Sequence, residues 1–320
     1  MLPSSLRTHE CCADIAPALL IREGIGVASI REKRGTVGSA PSFPPPNPSR
    51  HVGTGVSRVL PGVHSGGMSR RRLWAEIGIV LGLSLGASAA YSVVSLVSKL
   101  TREQALSQQT TSINNSLSDR PIFDLIYQLM AVLFDLVPVA LVVFLLWQGF
   151  RPHLGRLGID FTRPGRDTLT GLGLALVVGT GGIVVYLGGV ALNLNTTVNP
   201  SALDTYWWTV PVLLLRAIDA GVTEEVIVIG YLFARLRDLG WGGWQIIIGA
   251  ALLRGTYHLY QGFGAFIGNV IMGLLFGWLY NRYGRVLPLV IAHVIIDSVI
   301  FIGYPWAAAA FPQLFGLPAA

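Results

Sequence analysis

Long apolar segments separated by short polar stretches fill the chain from residue 73 onward. We identify seven, covering residues 73–98, 122–149, 168–194, 206–234, 244–261, 264–281 and 286–304. Most are long enough to cross a hydrocarbon core of about 30 Å at a rise of about 1.5 Å per residue. Because unpaired backbone groups are costly in lipid, such segments form helices. The pattern predicts an all-α, polytopic transmembrane helical bundle of about seven spans.

The first 67 residues follow a different pattern. They contain Pro-rich and Gly/Ser-rich stretches and show no sustained hydrophobic periodicity. A segment of this composition buries too little apolar surface to fold, which predicts a disordered N-terminal leader. The alternative is that translation starts at Met68, which is followed by a serine, three arginines and an apolar helix, as is normal for a membrane protein.

The composition also indicates a membrane protein. Hydrophobic residues make up 52% of the chain and charged residues 12%, with a mean hydropathy of +0.57, whereas soluble proteins have about 25% charged residues. The net charge of +6 does not indicate a nucleic-acid partner, because the basic residues are scattered through loops. The excess of arginine over lysine, 21 to 2, favours a bacterial source with a GC-rich genome. Cys11 and Cys12 are adjacent and lie outside the apolar region, which excludes a disulfide framework or a cysteine-ligated metal in the core.

The basic residues between the apolar segments predict the orientation in the membrane. Eleven arginines fall on one side and three basic residues on the other, in strict alternation. The eleven are Arg70, Arg71, Arg72, Arg151, Arg156, Arg163, Arg166, Arg235, Arg237, Arg282 and Arg285. The positive side faces the cytoplasm. We therefore expect a multi-pass protein of the cell membrane with a cytoplasmic N-terminus and an external C-terminus.

Two adjacent glutamates, two histidines and the aspartate one turn after the second histidine lie inside the last predicted spans. Glu224 and Glu225 interrupt one span, His258 lies in the next, and His293 and Asp297 lie one helical turn apart in the last. A charged side chain at the centre of a bilayer costs at least about 2.5–3.5 kcal/mol. Counted at about 1.5 Å per residue from the nearest cytoplasmic arginine or tryptophan, Glu225, His258, His293 and Asp297 all reach the cytoplasmic half or the middle of the bilayer. This agreement predicts one shared polar site.

Hydrolysis is the chemistry that such a set of side chains allows. A carboxylate withdrawn from bulk water is a competent general base for a water molecule. Imidazoles can hold a water, donate to a developing oxyanion or bind a metal. The chain has no His-Glu-x-x-His motif and no two histidines one helical turn apart, so the pattern leaves the use of Zn²⁺ open. If a metal is used, Glu224, His258 and His293 are its expected ligands.

Three short motifs in order carry a resemblance to a known family. They are Glu224-Glu225 followed by Ile229, Arg254-Gly-Thr-Tyr-His258, and His293-Val-Ile-Ile-Asp297. Their order and intervals resemble the CPBP family of intramembrane endopeptidases, whose motifs are Glu-Glu-x-x-x-Arg, Phe-x-x-x-His and His-x-x-x-Asn/Asp. This family contains the type II CAAX prenyl proteases and the bacteriocin-processing and immunity proteins. The resemblance covers about residues 211–303.

The resemblance implies a role for each matching residue. Glu224 would activate the water and Glu225 would be its partner. His258 would contact the water or a metal, and His293 with Asp297 would stabilise the oxyanion. The chain departs from the motifs at two positions, where Ile229 replaces the arginine and Arg254 the phenylalanine. We expect Arg254 to replace the missing arginine as the supporting cation of the glutamate pair.

The sequence therefore predicts a glutamate-dependent, CAAX-type intramembrane endopeptidase that cleaves a membrane-associated peptide or protein within the lipid bilayer, without nucleic acid. One alternative is a non-catalytic scaffold or a bacteriocin self-immunity protein that retains the protease fold. Another is a proton-coupled transporter, since buried carboxylates and imidazoles also suit proton relays. The expected organisation is a leader over 1–67, N-terminal transmembrane helices over 68–205, the catalytic bundle over 206–304 and a C-terminal tail over 305–320.

Several other polar residues in the apolar segments have a simpler interpretation. Arg216 and Asp219 are three residues apart, a spacing that predicts a local ion pair. Glu76, Asp124 and Asp135 are interpreted as packing or interface residues, with a proton path as the alternative.

Overall fold

Helices form almost all of the regular structure in this chain. The computed structural model describes residues 68–146 and 154–311, and within these ranges it contains ten α-helices. The first five are α1 (Arg70–Gly82), α2 (Leu85–Leu100), α3 (Pro121–Asp135), α4 (Val137–Leu145) and α5 (Pro164–Ala191). The next five are α6 (Thr209–Glu224), α7 (Leu232–Asp238), α8 (Gly243–Tyr257), α9 (Phe263–Tyr283) and α10 (Leu287–Ala310). The all-α prediction is confirmed, whereas the predicted leader lies outside the described residues.

The predicted number of seven spans is not confirmed. Four stretches are long and apolar enough to cross a membrane: Pro121–Leu145, Pro164–Ala191, Phe263–Tyr283 and Leu287–Ala307. A fifth is possible if α1 and α2, which meet at a bend of 58°, form one broken span. The predicted segment 244–261 becomes α8, which has only 15 residues. The segment 206–234 becomes α6 and its continuation, which carries more charge than an ordinary lipid-facing helix.

Small residues allow the last helices to approach one another closely. α8 packs along α9, and α10 packs along both α5 and α6. A Cβ atom added to Gly273 on α9 would lie 2.8 Å from the Cα of Ala251 on α8. One added to Gly221 on α6 would lie 2.7 Å from a methyl carbon of Val294 on α10. These contacts leave no room for a larger side chain, and they hold α8 against α9 and α6 against α10.

Two loops pack onto the turn between α8 and α9. Strands β1 (Thr110–Ser112) and β2 (Thr197–Asn199) pair in parallel, and the backbone N–H of Thr196 donates to the carbonyl of Gln261. Lys99, in the last turn of α2, donates to the carbonyl of Tyr260 at 2.5 Å. Gly262 has φ of +116°, a conformation that favours glycine, at the start of α9. These contacts fix the end of α8, where His258 lies.

Two arginines predicted to lie in cytoplasmic loops are held by carboxylates. Arg235 lies within α7 and is only 2% exposed, because its Nε donates to Glu76 at 2.7 Å and its Nη2 donates to the carbonyl of Leu145. Arg285 pairs with Asp167 at 2.6 Å and with Asp160 at 3.0 Å. Hydrogen bonds from Thr162 and from Arg285 hold the pKa of Asp160 well below its usual range. Both arginines therefore join helices as well as carrying loop charge.

We expect Gly273→Ala to destabilise the protein, because the new methyl group would press on the backbone of Ala251. Overpacking of this kind costs about 1–3 kcal/mol in the free energy of unfolding. Gly181→Ala on α5 is the matched control, since a Cβ there has nothing within 4 Å and alanine favours a helix over glycine by about 0.5–1 kcal/mol. Thermal unfolding in detergent should show opposite shifts, and equal shifts would contradict the close α8–α9 contact.

Candidate active site

The two glutamates lie where α6 changes its winding. Residues Glu225–Tyr231 form a π-helix between α6 and α7, and all seven are buried. π-helical turns are rare and occur frequently at functional sites. Glu224 ends α6 and Glu225 begins the π-helix, so the two carboxylates leave the helix in different directions. Each has its own set of partners.

Glu225 is the buried member of the pair, with no exposed surface. Its Oε1 accepts from Nη2 of Arg254 at 2.5 Å and lies 2.8 Å from Nδ1 of His293. Its second oxygen, Oε2, has no hydrogen-bond partner among the described residues. Glu225 thus joins α8 to α10 through one oxygen atom.

Glu224 faces the more accessible part of the site. Its Oε2 accepts a hydrogen bond from the hydroxyl of Tyr257 at 2.7 Å. The same oxygen lies 3.8 Å from Nε2 of His258 and 3.9 Å from Nη1 of Arg254. Its side chain is 11% exposed, whereas that of Glu225 is fully buried. Glu224 is therefore the glutamate that a small molecule can reach.

His258 lies directly after the last residue of α8 and has unused hydrogen-bonding capacity. Neither Nδ1 nor Nε2 has a hydrogen-bond partner among the described residues, although the ring is buried enough to need one. Its side chain is 18% exposed. Buried polar atoms without partners are uncommon in proteins and mark places where water or a ligand binds. The imidazole is available to a molecule placed next to Glu224.

His293 and Asp297 are contributed by α10. Nδ1 of His293 faces Glu225, and Nε2 lies 3.5 Å from Oδ2 of Asp297, one helical turn further on. The contact between Gly221 and Val294 brings this part of α10 against α6. The imidazole is thereby held between two carboxylates.

Arg254 supplies the positive charge at the centre of the group. Its side chain is completely buried, and its guanidinium lies 5.6 Å from the centre of the Phe276 ring. Nη2 pairs with Glu225, while Nε and Nη1 have no hydrogen-bond partner in the part of the chain that the structure describes. Ile229, at the position of the family arginine, is instead buried in the apolar core. The cation that the sequence lacks at residue 229 is thus present on α8.

The structure brings all six predicted site residues into one connected group. Their contacts run from His258 to Glu224, through Arg254 to Glu225, and on to His293 and Asp297. No predicted member lies apart from the others. The catalytic roles assigned to them remain predictions, because the geometry shows proximity and hydrogen bonding only.

Tyr257 belongs to the group but does not follow from the sequence motifs. Its hydroxyl contacts Glu224, and its carbonyl accepts from Ser92 of α2 at 2.7 Å. A tyrosine in an apolar helix is typical of packing, so its residue type alone does not predict this contact. Its position next to His258, within the second of the three motifs, is the sequence feature that indicates a place near the site.

The donor arrangement does not fit a bound metal. Among the described residues, no group of three or more His, Cys, Asp or Glu side chains is placed to hold a metal ion. Of the expected ligands, His293 already has a carboxylate beside each ring nitrogen, with Nδ1 at 2.8 Å from Glu225 and Nε2 at 3.5 Å from Asp297. We therefore derive no step of the chemistry through a metal.

A model of the type II CAAX prenyl endopeptidase Rce1-like family matches residues 206–299. The match confirms the resemblance to the CPBP family. It covers less than a third of the chain and includes all six predicted site residues. No curated protein and no solved structure matches the chain.

We expect Arg254→Met to destabilise the protein strongly, because Glu225 would keep its buried charge without a cation. Breaking a buried ion pair by removing one partner costs about 3–5 kcal/mol. The double variant Arg254→Met with Glu225→Gln should regain part of this loss, since it leaves neither charge buried alone. Thermal unfolding in detergent measures all three proteins.

Arg282→Met is the control for removal of an arginine, because Arg282 is exposed at the end of α9. Its free energy of unfolding should change by less than about 0.5 kcal/mol. A double variant no more stable than Arg254→Met alone would show that the two residues do not compensate each other.

Proposed function

We propose that the chain is an intramembrane endopeptidase, because residues 206–299 match the model of the Rce1-like type II CAAX prenyl endopeptidase family. It hydrolyses a peptide bond of a membrane-associated peptide or protein, using a water activated by Glu224. The observation that carries the proposal is the buried contact of Glu224 and Glu225 with Arg254, His258 and His293. Four helical segments bring these groups together inside an apolar bundle.

Glu224 is the better placed of the two glutamates to act on water. Its carboxylate is partly accessible, and the unpartnered ring nitrogens of His258 lie beside it. A water molecule or a substrate carbonyl at this place would find an acceptor in Glu224 and hydrogen-bonding capacity in His258. The Tyr257 hydroxyl fixes the orientation of the carboxylate. A positioned carboxylate of this kind acts as a general base.

Arg254 and His293 supply the electrostatic part of the mechanism. Three carboxylates converge in the site, and Arg254 is the permanent cation among them. Its unpartnered Nη1 is directed towards Glu224, where negative charge would develop on a substrate oxygen. Donors aimed at developing charge in a site without bulk water contribute strongly to catalysis. Glu225 holds the guanidinium and His293 in place.

The reaction follows from these positions. Glu224 accepts a proton from water as the water oxygen attacks the peptide carbonyl. The carbonyl oxygen becomes an oxyanion, stabilised by His293 with Asp297 and by the N–H groups of Arg254. The oxyanion then collapses, the C–N bond breaks, and the proton held by Glu224 passes to the leaving amine. One water is consumed, and a carboxylic acid and an amine are released, which become a carboxylate and an ammonium when the acid passes its proton to the amine.

The substrate is expected to be a membrane-associated segment. The site lies within helices of a multi-pass membrane protein, between the ends of α6 and its continuation α7. We keep the predicted orientation, with the N-terminus in the cytoplasm, as part of the proposal. The catalytic domain is proposed to span 206–304, following the N-terminal helices of 68–205, although α10 continues as a helix to Ala310, into the predicted tail.

We expect Glu224→Gln to abolish cleavage, because an amide cannot accept the proton from water. Glutamine preserves the size and shape of the side chain, so the protein should reach the membrane at the level of the wild type. Comparison of the membrane peptidomes of cells expressing the two proteins should reveal peptide ends present only with the wild type.

Glu103→Gln is the matched control for this substitution, because Glu103 is an exposed loop residue far along the chain from the site. Its peptidome should equal that of the wild type. Identical peptidomes for wild type and Glu224→Gln would contradict the protease and favour a non-catalytic scaffold.

We expect Tyr257→Phe to lower kcat by about tenfold or more, since a hydrogen bond to a charged group is worth about 1.5–3 kcal/mol. KM for a peptide found by the peptidome comparison should stay within about twofold, because the hydroxyl contacts Glu224 and not the substrate. Tyr283→Phe, which removes an exposed hydroxyl, is the control. An equal loss of kcat in both variants, or a change in KM alone, would exclude the role of Tyr257 in positioning Glu224.

A further inference from the structure

A second set of polar side chains lies between α3 and α6, which we name the α3–α6 cluster: Gln128, Asp135, Arg216, Asp219 and Thr223. The sequence predicts that Arg216 pairs with Asp219 on the same helix, but the structure shows an ion pair with another helix. Its Nη1 lies 3.2 Å from Oδ2 of Asp135 on α3, and its Nε and Nη2 donate to Oε1 of Gln128 at 3.3 and 3.0 Å. The arginine therefore joins two helices.

The cluster continues along α6 towards the active site. Asp219 is buried and contacts Asp135, and the hydroxyl of Thr223 donates to Asp219 at 3.3 Å. Arg216 and Thr223 are seven residues apart and so share one face of α6. Thr223 directly precedes Glu224 in the chain.

Asp135 is the exposed member of the cluster. Its side chain is 57% exposed, although it lies within the candidate span Pro121–Leu145. Counted along the helices, it is about 21 Å from one end of this span and about 15 Å from the other, near the middle of a bilayer. A half-exposed charged side chain is not stable against lipid chains at this depth. Its exposed surface must face water or another polar group.

Asp124 gives an independent indication of unmet hydrogen bonding along the same face of α3. It is 1% exposed, and its Oδ1 accepts from Nε2 of Gln128 at 3.4 Å. Its other oxygen, Oδ2, is buried and has no hydrogen-bond partner among the described residues. Buried polar atoms of this kind are commonly satisfied by internal water. Polar groups in need of water therefore occur at both ends of the cluster.

We propose that the interface between α3 and α6 beside Asp135, which we call the cleft, is hydrated and supplies the water consumed at Glu224. The hydration is argued from the exposure of Asp135 and from the contacts within the α3–α6 cluster alone. The role in water supply rests on the proposed function, because water is consumed at Glu224 only if this residue takes part in hydrolysis. Two charged helices that face each other provide the polar surface along which water is stable in an apolar bundle.

Thiol labelling tests the hydration directly. A thiol reacts with a methanethiosulfonate only as the thiolate, and a thiol in lipid does not ionise. The background is Cys11→Ser with Cys12→Ser, which removes both native cysteines. The probe positions are Ala131→Cys and Ala220→Cys, half-buried alanines one helical turn from Asp135 and Arg216. A charged methanethiosulfonate is added to vesicles opened by freezing and thawing, so that it reaches both faces.

The matched controls are Leu133→Cys and Ile218→Cys, which lie on the same helices but on exposed apolar faces. We expect the two probe cysteines to react at least about tenfold faster than the controls, because the controls face lipid. After unfolding in detergent, all four should react equally. Probe rates no higher than control rates in the folded protein would overturn the proposal, since lipid or a partner helix would then cover the cleft.

Two further variants separate this proposal from the protease assignment. Glu224→Gln should leave the labelling rates unchanged, because hydration does not depend on catalysis. Asp135→Leu should lower both the labelling of Ala220→Cys and kcat. Loss of labelling with unchanged kcat would overturn the role in water supply.

Discussion

The buried contact between Glu225 and Arg254 is the interaction on which the arrangement of the site depends. Both side chains are fully removed from solvent, so neither charge could exist there without the other. The pair fixes the π-helix after α6 against α8. Because His293 contacts the same carboxylate oxygen, the position of α10 is fixed as well. Glu224 can then remain accessible, since the structural charge pairing is carried by its neighbour.

This pairing is possible only because the helices approach closely. Gly273 and Ala251 let α8 lie directly against α9, and Gly221 lets α10 lie against α6. In a bilayer, lipid chains remove the hydrophobic advantage of helix association, and close packing of small residues with polar contacts takes its place. The glycines and the charged residues therefore serve the same purpose. The glycines determine the distance between the helices, and the charged residues stabilise the helices at that distance.

The sequence predicted which polar residues lie together better than it predicted the number of spans, while their catalytic roles stay predictions. Spacing within three motifs identified six residues that the structure brings together, because polar residues are costly in lipid and their positions carry information. The departure at Ile229 and Arg254 also indicated where the cation lies. The number of spans was not confirmed, because hydropathy alone did not show that α8 is short or that α1 and α2 are bent. Tyr257 was missed because a tyrosine in an apolar helix resembles ordinary packing.

The move of the cation from residue 229 to residue 254 favours a working site over a retained scaffold. A buried ion pair is often no more stable than well-packed apolar residues of the same size. A bundle without chemistry to perform could replace Glu225 and Arg254 by apolar residues at no cost, and would also lose the unpartnered nitrogens of His258. This chain instead places isoleucine at one position, buried in the core, and provides the guanidinium from the next helix. Compared with the family motif, the cation lies on α8 and not at residue 229, which is expected where the charge itself is needed.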